Sequence, residues 1–194
     1  MTTAESRYGP VALALHWIIA ALILSNIALA WYFNTLHGLA RLAPLRVHQS
    51  LGLSVLILSV ARVAWRLAVP PPRRSDPGPG WERGLAVAVH VGFYVIMLAL
   101  PLTGWAMRSA SPLHHILPIK LFILPWPTIG PLASLPMDKA AAAERAFQAA
   151  HGLLAKLTYG LVALHVAGAL KHHFISHDDV AARMIPFLKP RPRT

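Results

Sequence analysis

The sequence predicts an all-α membrane protein, a four-transmembrane-helix bundle with both termini cytoplasmic. Three observations carry that expectation. Of 194 residues, 56% are hydrophobic and 13% charged, with mean hydropathy +0.52, whereas a soluble domain carries about a quarter charged residues. Four apolar runs each approach the ~20 residues a helix needs to cross the hydrocarbon core. Lysine and arginine divide unequally between the two ends of those runs.

The first span is expected at residues 11–33. It is too long for a cleaved signal peptide and ends in Trp31, Tyr32 and Phe33, an interfacial aromatic belt. A basic connector leads to the second span, 47–69, with His48 at its start and Arg62 and Arg66 towards its end. The stretch from Pro70 to Gly80, PPPRRSDPGPG, reads as a turn, since proline removes a donor and clashes inside a helix. The third span is expected at 85–107 and contains His90 and Pro101. Residues 108–148 include the proline-broken HHILPIKLFILPWPTIGP, too interrupted to cross a bilayer, and are expected to form a cap at the interface. The fourth span, 149–173, precedes a basic tail, and the whole of 1–194 reads as one membrane domain.

The net charge of +11 would suggest nucleic acid in a soluble chain. Here the charges cluster at the ends of apolar runs, so lipid headgroups are the expected partner and nucleic acid is not. Eleven lysines and arginines fall on the side of the termini against seven on the other, which places both termini in the cytoplasm by the positive-inside rule. There is no cysteine, which excludes disulfides, thiolate-held clusters, covalent haem attachment and thiol catalysis.

Histidine is left as the principal candidate ligand, and ionisable residues inside a membrane are functional by default. His151 and His165 lie fourteen positions apart in the fourth span, about 21 Å along one helix and about 40° around it. With the expected topology, His16 and His165 share the cytoplasmic half and His48 and His151 the outer half. Two neutral imidazoles on facing helices are what axial ligation of a b-type haem requires. The sequence offers that arrangement at two depths.

The chain resembles the bacterial cytochrome b561 family of four-helix dihaem membrane cytochromes. The resemblance rests on YGPVALALHW, VHQSLG, AVHVGFYVIMLALPLTGW and HGLLAKLTYGLVALHVAGALKHHF, whose order, spacing and loop lengths agree over almost the whole chain. It implies two haem b groups, the inner held by His16 and His165 and the outer by His48 and His151. It also implies electron transfer from an outer-face one-electron donor, superoxide among them, to membrane ubiquinone. His90 is a rival inner ligand, or else a neighbour that hydrogen-bonds a propionate or an adjacent helix. For Arg62, pairing with an inner propionate and snorkelling to the headgroups both stand. His172, two turns beyond His165, is the candidate proton donor for quinone. Arg41, Arg46, Lys120 and Lys156 on the outer side would attract an anion by their field. Two other readings are kept: a cytochrome b anchor subunit relaying electrons for a partner protein such as a hydrogenase or formate dehydrogenase, and a haem-free transporter that uses its histidines.

Overall fold

In the computed structural model, which describes residues 8–70, 80–177, 179, 181–185 and 188, four long helices are each apolar enough to cross a membrane. Helix α1, Pro10–Asn34, starts with proline at its first position, where the missing N–H is no loss, and ends as Thr35 turns its hydroxyl back to the Tyr32 carbonyl at 2.8 Å. A short 3-10 turn, Gly38–Arg41, leads into α2, Leu42–Ala68. That helix stops at Val69, which is extended, as expected of a residue before proline. Helix α3 is Gly80–Ala110. A two-residue-strand hairpin follows, β1 at Lys120–Leu121 and β2 at Leu124–Pro125, then the short α4, Gly130–Ala133. Helix α5 is Met137–Phe174.

The four apolar helices overlap the runs that hydropathy marks, but three start well before them: α2 by five residues, α3 by five and α5 by twelve. The apolar stretch of α5 is preceded by MDKAAAAERAFQA, rich in helix-forming alanine yet charged. It continues the same helix outside the hydrocarbon, so part of what reads as an irregular cap is helical. Likewise, α3 begins five residues before the expected apolar start and includes Glu82 in its first turn. The expected turn at 71–79, and the basic residues at 1–7 and 189–194 that enter the charge comparison, lie outside the described residues.

Neighbouring helices pair antiparallel. Helix α3 packs on α5, α1 on α2, and α2 on α3; among the described residues neither α1 nor α2 packs extensively on α5. Between α3 and α5, Glu82 and Lys171 form a partly exposed ion pair at 2.6 Å, and Gly92 lets Leu161 come so near that a Cβ would sit 3.1 Å from its Cδ1. Lipid is as apolar as leucine, so burial of greasy side chains does little to drive helices together, and small residues that permit close approach do the work. Accordingly most of the side chains most completely enclosed among the described residues are small: Ser59, Ser109, Ala110, Ser111 and Thr158, with Ile19 beside them. Beyond α5, Ala181 and Ala182 are buried, and the Trp17 indole N–H donates to the Met184 carbonyl at 2.8 Å, docking this part of the tail onto α1.

Gly92→Val should overpack the α3–α5 seam and cost about 1–3 kcal/mol. Its unfolding temperature in detergent, followed by tryptophan fluorescence, should fall. Gly84→Ala, at a position with nothing within 4 Å of a Cβ, should not lower it.

Candidate functional site: two facing pairs of histidines

Four of the eleven histidines meet in two pairs. His48 of α2 faces His151 of α5 with ring centroids 6.3 Å apart and planes crossing at 74°. His16 of α1 faces His165 of α5 at 6.1 Å and 62°. Both pairs join helices that do not pack extensively on each other among the described residues. All four rings are half-buried, and their layers fall fourteen residues apart on α5, as its sequence requires.

The ring spacing can be tested against a shared metal. Metal–imidazole bonds of about 2.0 Å, with a ring centre about 1.15 Å behind its nitrogen for ring bonds of about 1.35 Å, put two axial imidazoles about 6.3 Å apart. Both pairs meet that value, and neutral nitrogen donors on opposite sides are the donor set of a b-type haem. The residues present fit the group.

What stands behind each ring differs between the layers. In one, His48 donates its Nδ1–H to the Asn26 carbonyl at 3.2 Å, and His151 donates Nδ1–H to the Leu100 carbonyl at 2.9 Å. Such bonds fix the tautomer and leave the Nε2 lone pair available to a metal. His151 is held further by its neighbours on α3. Thr103 Oγ1 lies 3.2 Å from the same Nδ1 while its own hydroxyl donates to Leu100 O at 2.7 Å. A Cβ on Gly104 would lie 3.1 Å from His151 Cε1. Phe33 closes on the His48 ring edge-to-face at 5.2 Å.

In the other layer, Arg62 Nη2 approaches His16 Nδ1 at 3.4 Å, at the long end of hydrogen-bonding distance. This puts a guanidinium beside the pair. His90 lies 5.6 Å from His165 with planes at 85°, its Nδ1–H given to the Ala86 carbonyl at 2.6 Å. His90 comes from α3, which packs directly on α5, whereas α1, the source of His16, does not pack extensively on it among the described residues. Phe93 fills the remaining edge, 5.3 Å from His165. His172 occupies the last turn of α5 and is half-buried. Arg66 is exposed one turn beyond Arg62, and His114 and His115 stack on each other at 3.7 Å outside the spans.

Sequence reasoning finds the four facing histidines, Arg62 and His90. It misses Thr103 and Gly104, whose signal is a polar or glycine residue inside an otherwise apolar run, and Asn26, which acts through its backbone carbonyl.

A family model described as prokaryotic cytochrome b561 matches residues 7–187. The chain is 32% identical over 187 residues to cytochrome b561 homolog 2 of Escherichia coli (strain K12), covering 95% of this chain and 94% of that one. It is 28% identical over 192 residues to the probable superoxide oxidase CybB of Yersinia pestis, covering 94% and 97%. Cytochrome b561 homolog 1 of Escherichia coli (strain K12) is 26% identical over 185 residues, 93% and 98% of the two chains.

Gly104→Val should push the His151 ring out of line with His48 and lower bound haem per chain, measured as the pyridine haemochrome. Gly152→Ala, one residue past His151 in open space, should leave the haem content unchanged.

Proposed function

The chain belongs to the prokaryotic cytochrome b561 family, a multi-pass bacterial membrane protein with the electron-transfer role of a b-type cytochrome, and we propose that it is a dihaem quinone reductase of the inner membrane. In this reading His48 and His151 hold the outer haem, His16 and His165 hold the inner one, and both termini lie in the cytoplasm. The observation that carries it is the pair of imidazole separations, 6.3 and 6.1 Å, between helices that do not pack extensively on each other.

A haem held by two neutral imidazoles supplies a one-electron couple whose potential answers to ligand hydrogen bonds, burial and nearby charge. The chain's own residues set those conditions. The carbonyls of Asn26 and Leu100 take the Nδ1 protons of His48 and His151, which makes these rings more basic ligands. Arg62 brings a positive charge to His16 and is placed to pair with a propionate. His90 serves as a neighbour of His165 on the packed side, not as its axial partner.

On the outer side, Arg41, Arg46, Lys120 and Lys156 favour an anionic donor by field, and similarity to a protein named a probable superoxide oxidase supports superoxide in that role. Two superoxide anions each give up one electron and leave as dioxygen; one ubiquinone takes up both electrons and two protons. At the far end of α5, His172 is the residue assigned to hand a proton to a quinone oxygen, since imidazole exchanges protons near neutral pH.

Replacing His151 with alanine should remove one haem and leave the other, seen as half the b-type absorbance in a reduced-minus-oxidised spectrum of folded protein. Loss of both haems, or of neither, contradicts the pairing. The His90→Ala variant should keep both. In proteoliposomes, a steady superoxide source should drive ubiquinone reduction; an unchanged quinone pool with haem fully loaded would refute superoxide as donor.

A further inference from the structure

The tip of the β1–β2 hairpin is made of residues that a turn facing water avoids. Phe122, the first of its two turn residues, has φ +56°. A non-glycine side chain pays about 1–2 kcal/mol for that left-handed backbone, and glycine is the usual occupant of such hairpin positions. The tip nonetheless presents Phe122, Ile123 and Leu124 outward, 58%, 87% and 59% exposed. Backbone strain of this kind persists where the placement of the side chain serves something.

The depth of the hairpin is fixed by Ser50, a buried residue of α2. Its hydroxyl accepts the Phe122 N–H at 2.8 Å and is shared between the carbonyls of Arg46 at 3.1 Å and Lys120 at 3.2 Å. Ser50 lies eight residues into a helix that starts at Leu42, about 12 Å along its axis. The apolar run of that span opens at Val47, so the anchor sits inside the hydrocarbon boundary. Backbone polar groups at that depth must be satisfied by protein, and the one serine hydroxyl satisfies two of them on the strand edge that faces α2. The exposed tip thus continues the lipid-facing surface of α2, where Val47 and Ile57 also point outward. Lys120, exposed at the base of the hairpin, is set to reach headgroup phosphates.

We propose that Phe122, Ile123 and Leu124 form a finger inserted into the bilayer at the acyl-chain boundary, on the side of the His48/His151 pair. Because the finger is fastened at Ser50, two residues from His48 in the same helix, the lipid surface holds the cap against the end of the bundle that carries this pair. The inference stands apart from the haem assignment and has its own test.

The chain lacks cysteine, so Ile123→Cys carries a single environment-sensitive fluorophore, and Ala142→Cys, in the charged first turns of α5, is the reference. Both proteins, checked for unchanged circular dichroism and haem content, are placed in phosphatidylcholine–phosphatidylglycerol vesicles. For burial about 5–10 Å below the headgroups, lipids brominated near the top of the acyl chain should quench position 123 about twofold or more above position 142, and aqueous iodide should quench it less. Equal iodide access at the two positions with no bromine quenching would overturn the proposal. So would shielding of position 123 from iodide that appears only when other membrane proteins are added, which would make the finger a protein interface.

Discussion

Two pairs of imidazoles, each facing its partner across about the distance that one shared metal demands, account for the shape of this bundle. Helices α1 and α2 supply one ring each and α5 supplies two. Among the described residues α5 makes few contacts with α1 and α2, the arrangement that rings opposed across a macrocycle would require. Helix α3 takes up the packing that α5 forgoes. It lies directly on α5 through Gly92 and Gly104 and is tied to its end by Glu82 and Lys171.

The two layers are unlike in a way that bears on electron flow. Carbonyl oxygens stand behind His48 and His151 and accept their Nδ1–H groups, which in the proposed reading would strengthen Nε2 as a ligand and favour an oxidised metal there. A guanidinium stands beside His16, which would favour a reduced one. In the proposed orientation this difference runs downhill for electrons moving from the outer layer towards the inner, against a membrane potential that costs about 2.3 kcal/mol per charge per 100 mV.

Much of this was legible in the residues. Apolar length gave the four spans, and helical period gave the depth and facing of His151 and His165. What escaped did so for physical reasons. The first turns of α5 carry charge and so vanish from a hydropathy reading, although alanine makes them strongly helical. A hairpin of two-residue strands has no periodicity to detect, and its anchor, Ser50, is seventy positions away from Lys120 in the chain. Asn26 contributes to the site through its backbone carbonyl, which no side-chain motif can announce. The cradle of Thr103 and Gly104 becomes visible only when α3 is laid antiparallel on α5. How His90 and His16 stand to His165 also needed the fold: the sequence puts both in the same half, and the structure brings both rings to His165, His16 from α1 at 6.1 Å and His90 from α3 at 5.6 Å.

The most direct test is the haem content of the purified wild-type chain. Quantified as pyridine haemochrome against polypeptide mass, it should give two non-covalent b-type haems per chain, both low-spin when oxidised because each iron has two imidazole ligands. A single haem per chain at saturation, or none, would contradict the account at its centre.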